Sequence, residues 1–291
     1  METFLAHLEA GIVSGSIYSL IAIGMNLLLA VADIIQFAYG EVVVISMYVF
    51  WFLLRFSGNY PLAFLGTVAT SLILNLFVEP LLRGLRERRL LTETLVMTIA
   101  VGMILTEIMS HFLNAGLPVS FPPSIVGGGG EISVGLIKIT AADIYVVSAT
   151  LGLVLGLVFF LFKTRKGKAL RAVAHNIQAA RLIGIPIRKS TILSFIISGL
   201  LSGVTAILFI LTLGVATPEL GYHVTFKGMA VQLLGGMGSL KGAIAGGLML
   251  GIIECFVRGY FIGDWTDAIS MGCIMIVIIL RPSGIFGSGA K

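Results

Sequence analysis

Charge is scarce in this sequence. Of 291 residues only 11% are Asp, Glu, Lys or Arg, against about 25% in a soluble globular domain. Hydrophobic residues make up 57% and mean hydropathy is +1.06, so a soluble domain with a charged surface is excluded. Cysteine is nearly missing too. Cys255 and Cys273 both fall inside apolar runs, with no CxxC or metal-ligand spacing, and read as small membrane-buried residues. No GxxxxGK[ST] occurs, so the chain has no P-loop of its own. Ahead of the first apolar run there is no Lys or Arg, only Glu2 and Glu9, and no small-residue cleavage site. The N-terminus is therefore not read as a signal peptide. No nucleophile–base set stands out. Glu107 and His111 have the four-residue spacing of helix-borne metal ligands but lack a third ligand. Neither a catalytic residue nor a metal site is predicted, and the chain is not expected to be an enzyme.

What is present is a series of long apolar runs, each near the roughly 20 residues that cross a bilayer. Only helices or a closed barrel satisfy their backbone in lipid. Barrel strands alternate apolar and polar residues, and these runs do not, so they are read as helices. The fold class is all-α, a polytopic transmembrane bundle forming one domain over 1–291. Segments fall at about 8–31, 34–55, 61–82, 92–113, 140–162, 190–213, 224–237, 242–262 and 266–280. The seventh is short and reads as a half-helix that enters and turns back, which leaves eight or nine segments with at least one broken.

Most of the 19 basic residues lie in three places: Arg83 to Arg89, Lys163 to Lys189, and Arg281 with Lys291. Such loops stay in the cytoplasm, which makes 114–139 extracytoplasmic. That loop holds Pro118, Pro122, Pro123 and Gly127 to Gly130; it is read as a turn-rich cap with a short hairpin at 131–139. Nine crossings put the N-terminus outside and the C-terminus inside; eight require one end to change sides. A net charge of +5 thus reports orientation and not nucleic-acid binding. Glycine, 36 residues, recurs at four-residue spacing in Gly11/Gly15, Gly152/Gly156, Gly199/Gly203, Gly242/Gly246 and Gly247/Gly251. Small residues so spaced let helix backbones approach closely.

Three segments are candidates for function. In the 163–189 loop, Leu170, Val173, Ala174 and Ile177 recur at helical spacing, with Lys168, Arg171, His175 and Gln178 on other faces. Gly184 and Pro186 supply a stop. This predicts a short amphipathic helix, either resting on lipid headgroups or docking a cytoplasmic partner. Gln36, Tyr39 and Glu41 open the second apolar run, with Gly40 able to admit a kink; an ionisable residue there faces the bundle interior or water, or sits at the interface. Gly235, Gly236, Gly238 and Ser239 form either a cytoplasmic turn or a broken helix of the kind found in transport pathways. Glu254, in mid-run, is expected to be paired.

These segments together resemble the membrane permease subunits of branched-chain amino-acid ABC importers, and more closely the shorter of the two. The similarity runs over nearly the whole chain. It begins with Gly15-Ser16-Ile17-Tyr18-Ser19-Leu20 and continues in Ile34 to Glu41, similar to a "VINFAHGE" signature with Gln36 for Asn and Tyr39 for His. It resumes in Arg171 to Ile185, where Gln178-Ala179-Ala180 and Gly184 echo the EAA loop with Gln for Glu. It closes with Leu234 to Ser239 and with Arg281 to Gly287. The resemblance implies an ABC importer permease fold. It implies a coupling helix, carried by Leu170, Arg171, Val173, Ala174, Ile177, Gln178, Ala179, Ala180, Arg181 and Gly184, that docks in a groove of a cytoplasmic ATPase. It also implies a second permease subunit, two ATPase subunits that bind the ATP, and a solute-binding protein docking near 114–139 and 214–223. No cofactor is expected on this chain. The expected location is the cytoplasmic (inner) membrane of a bacterium or archaeon. A same-family carrier of urea or short amides, and an ion-driven carrier using Glu41 or Glu254, are the alternatives.

Overall fold

The computed structural model describes residues 2–88, 90–113, 116–129, 131–134 and 137–260. Beyond these it describes 268, 271–272, 275–277, 279, 281 and 284–286. In chain order the elements are α1 (Glu2–Ala32), α2 (Tyr39–Ser57), α3 (Tyr60–Glu87), α4 (Leu91–Phe112), β1 (Val119–Ser120) and a 3-10 turn (Val126–Gly129). There follow β2 (Glu131–Val134), β3 (Ile137–Thr140), α5 (Ala141–Lys163), α6 (Arg165–His175), α7 (Ile177–Leu182) and α8 (Ile187–Leu213). The last described elements are β4 (Val215–Ala216), α9 (Leu220–Gly235) and α10 (Leu240–Tyr260). Among the described residues, seven helices are long and apolar enough to cross a membrane: α1, α2, α3, α4, α5, α8 and α10. α9, at 16 residues, is about 24 Å long, short of the ~30 Å hydrocarbon core. The ninth predicted segment, 266–280, lies largely outside the described residues, as do Arg89 and Gly130.

Glycine decides which helices touch backbone to backbone. α1 and α10 run antiparallel in contact: a Cβ on Gly15 would stand 2.8 Å from Leu248 Cα, and one on Gly251 would overlap the Gly15 backbone. α3 and α8 meet the same way, with a Cβ on Gly203 reaching within 2.9 Å of Val68 Cα. Gly152 and Gly156 do not follow this pattern. Among the described residues nothing lies within 4 Å of a Cβ built on either, so their spacing on α5 does not reflect packing against those residues.

The two ends of the bundle separate as the basic residues predict. Arg86 Nη1, near the end of α3, donates to Thr191 Oγ1 at the start of α8, 2.6 Å away, which joins two basic segments at one end. At the other end β1 of the 114–139 loop pairs antiparallel with β4, Val119 opposite Ala216. The predicted hairpin forms as β2–β3, Glu131 opposite Thr140. His7 near the start of α1 packs on Tyr260 at the end of α10, ring centroids 5.6 Å apart. Near the C-terminus, the Ile285 and Phe286 amides donate to the Leu234 and Gly235 carbonyls, at 2.9 and 3.0 Å, at the basic end. His7 and Ile285 thus lie at opposite ends of the bundle.

Candidate functional site

α1 stops at Asp33, whose φ of 56° is left-handed, a conformation Asp tolerates better than most residues. Its amide donates to Leu29 O. Residues 33–38 then run without helix although Ile34, Gln36 and Ala38 are buried. Non-helical backbone buried in such a bundle is tolerated only where protein or water surrounds it. The expected break thus lies before Gly40, which is itself in the first turn of α2. Its missing side chain serves another purpose: a Cβ on Gly40 would collide with the Gly221 carbonyl of α9.

The four residues singled out in this segment diverge. Gln36 points into the bundle, its Nε2 3.3 Å from Asn75 Oδ1, within a polar layer where Asn75 Nδ2 also donates to Ser71 O and approaches Ser202 Oγ. Tyr39 is fully buried and runs to α1, where Gly24 leaves room for its hydroxyl. Glu41, 8% exposed, borders a cleft of about 710 Å³ between α2, α4 and the start of α9. Gly40 N donates to Thr225 Oγ1 at 2.9 Å, and Thr225 Oγ1 lies 3.0 Å from Phe37 O and 3.3 Å from Glu41 Oε2. Thr225 has one hydroxyl proton, and the shorter distance favours Phe37.

Gly235, Gly236, Gly238 and Ser239 are elsewhere, in the tight turn between α9 and α10 at the basic end. Gly236 and Gly238 have φ of 105° and 76°. Asn26 of α1 holds the turn: its Oδ1 accepts from Gly238 N at 3.0 Å, and its Nδ2 donates to Ser239 O at 3.2 Å. Ser239 Oγ caps α10 by accepting from Gly242 N at 3.1 Å. The turn reading therefore holds for these residues, and none of them borders the Glu41 cleft.

The amphipathic stretch is two helices, not one. Asn176 is extended between α6 and α7, and its Oδ1 accepts from Ala179 N at 2.9 Å. Leu170, Val173 and Ala180 are buried against the bundle, and Ile177 is half-buried. Arg171 Nε donates to Leu161 O at 3.0 Å and its guanidinium stacks on Phe162. The apolar periodicity thus anchors the loop to its own chain. Ala174, Gln178, Ala179, Arg181 and Gly184 are exposed, and so are Leu182 and Ile183, at 88% and 74%. Those last two were not singled out from periodicity, because they fall after its last repeat.

Glu254 is paired, as expected. Lys227 Nζ lies 2.6 Å from its Oε1 and Arg258 Nη2 2.8 Å, while Tyr18 donates to Oε2 at 2.8 Å. Lys227 was not identified from sequence; it is an ionisable residue in the interior of the short α9 run. Glu107 and His111 form an exposed pair at 3.1 Å, and no metal-binding group occurs among the described residues.

Residues 7–279 match the family described as branched-chain amino acid transport system / permease component. The chain belongs to that family. It is 31% identical over 301 residues to the high-affinity branched-chain amino acid transport system permease protein BraD of Pseudomonas aeruginosa, covering 98% of this chain and 96% of the relative. To the corresponding permease protein LivH of Escherichia coli it is 29% identical over 296 residues, covering 98% and 96%. The solved PsaBC from Streptococcus pneumoniae in complex with Fab aligns over 97% of this chain and 91% of that one. Its TM-score is 0.47 at 14% identity, too distant for any contact to be carried over. The permease is a multi-pass membrane protein, and permeases of ABC importers work with ATPase and further subunits.

Proposed function

We propose that this chain is a membrane-spanning subunit of an ATP-binding cassette importer that carries branched-chain or similarly small amino acids inward across the cytoplasmic membrane of a bacterium or archaeon. The match over residues 7–279 carries this reading. A second permease subunit completes the pathway, two cytoplasmic ATPases bind the ATP, and an extracytoplasmic protein delivers the solute to the β1–β4 cap. The α6–α7 loop is the coupling element. Leu170, Val173 and Ala180 tie it to the bundle, while Gln178, Ala179, Arg181, Leu182 and Ile183 meet the ATPase. A push on a loop so anchored moves α5 and α8 with it, and packed helices answer by switching between discrete arrangements. The expected pathway runs past Glu41.

The test is uptake of labelled leucine into proteoliposomes holding the complete set of subunits. Uptake that requires ATP, the ATPases and the binding protein supports the reading. Uptake driven by an ion gradient with this chain alone would refute it, and uptake of urea but not leucine would redirect the solute.

A further inference from the structure

Glu41 is a carboxylate at membrane depth with little to neutralise it. Among the described residues no cation lies in ion-pair range of it, and the one side chain that reaches it is Thr225, at 3.3 Å from Oε2. Yet it is more than nine-tenths buried and borders the cleft. The other buried acids differ: Glu79 pairs with Arg83, and Glu254 with Lys227 and Arg258. A buried charge is ordinarily paired, and one facing lipid is costly. Glu107 and Glu219 add acid at the cleft's rim, and His223 also lines it. Its wall is apolar and aromatic: Phe37, Met103, Tyr222 and Phe226.

We propose that this cleft holds the ammonium group of an amino acid in transit, with Glu41 as its counter-charge and Phe226 and Met103 against the aliphatic side chain. An acid beside an apolar wall fits a cation attached to a hydrocarbon group. It does not fit an anion or an uncharged polar solute such as urea. The inference deepens the permease reading and rests on it. It also places the second permease subunit on the α4–α9 face, because an acidic cleft open to lipid would be unstable.

The experiment uses the complete transporter in vesicles, with Met103→Cys as a reporter in a background of Cys255→Ala and Cys273→Ala. Cationic and anionic methanethiosulfonates of similar size are the probes. The cation should react about tenfold faster, as a field-focusing cleft predicts. Glu41→Gln should reduce that preference and lower leucine uptake about tenfold or more, the scale of one lost charged contact, with ATPase co-purification unchanged. Glu41→Asp should restore part of both. Equal reaction rates for the two probes, or full leucine uptake by Glu41→Gln, would overturn the proposal. If Glu41→Gln does not assemble, the probe preference in the unaltered Glu41 background still decides. Cation preference in vesicles that take up no amino acid would refute the permease reading and the amino-acid ligand, leaving a cleft for a different cation.

Discussion

Lys227 of α9 and Glu254 of α10 meet at 2.6 Å beneath the cap end, and Tyr18 of α1 joins both, donating to Glu254 Oε2 and lying 3.1 Å from Lys227 Nζ. α1 is thereby tied to the consecutive pair α9 and α10, which lie more than 200 residues further along the chain. Removing Glu254 takes this carboxylate from Lys227, which is only 16% exposed, and breaking a buried pair costs about 3–5 kcal/mol. Glu254→Gln is therefore expected to lower thermal stability in detergent sharply. Tyr18→Phe removes a hydrogen bond to a charged group and should cost about 1.5–3 kcal/mol. Unfolding followed by a thiol-reactive dye at the buried Cys255 measures both. Equal stability of Glu254→Gln and the parent would show that the pair does not hold the three helices.

The membrane class, the separation of the basic loops to one end and nearly every segment were legible in the sequence because bilayer thickness and loop charge act on residue types directly. The length of the break between α1 and α2 was not: the second segment was expected from 34, whereas α2 begins at Tyr39, because Ile34 to Ala38 is as apolar as a helix would be. What stops α1 is the left-handed Asp33, a property of backbone and not of hydropathy. The candidate site shows the same division. Glu41 could be picked out as a charge in an apolar run, whereas the surroundings that set it apart from Gln36 and Tyr39 come from α9, 180 residues further on. In the 163–189 loop, periodicity marks the face a helix buries, and here Leu170, Val173 and Ala180 are buried against their own chain while Leu182 and Ile183, which periodicity passes over, are exposed.

That distinction can be tested in the loop. Val173→Asp puts a charge into the bundle and should impair folding itself, reducing membrane yield. Ile177→Asp, at a half-buried position, should do so mildly. Leu182→Asp and Ile183→Asp touch exposed residues and should leave yield unchanged while reducing ATPase co-purification by about tenfold or more, the loss expected when an interface anchor is replaced by a charge. Normal co-purification in both would move the ATPase contact elsewhere.

Glycine contacts make a second contrast. Gly251→Ala forces a methyl group into the Gly15 backbone, and overpacking of this kind costs typically about 1–3 kcal/mol. Gly152→Ala and Gly156→Ala meet open space among the described residues. In the isolated permease they should be neutral or slightly stabilising, since Ala favours helix over Gly by about 1 kcal/mol. Thermal unfolding of the three variants, measured side by side, checks the order. A destabilised Gly152→Ala appearing only in the full assembly would locate another subunit on that face of α5.

The closing segment gives the last test. Ile285 and Phe286 donate their amides to the Leu234 and Gly235 carbonyls, which lie in the last turn of α9, where a helix leaves carbonyls without internal partners. The chain reaches them through Gly284, at φ 77°, pressed against the Gly236 backbone. The two late sequence motifs are thus halves of one clasp that closes the α9–α10 turn. A residue with a Cβ at Gly284 would bear the cost of the left-handed backbone, about 1–2 kcal/mol, and would also collide with Gly236. Gly284→Val should therefore release the clasp. Amide exchange at Gly236 and Ser239 should rise, and stability should fall by at least the backbone cost. Gly184→Val offers the control, since that glycine is also left-handed but has nothing within 4 Å of a Cβ. If the two variants lose equal stability and the α9–α10 turn exchanges no faster, the clasp contributes nothing beyond local backbone strain.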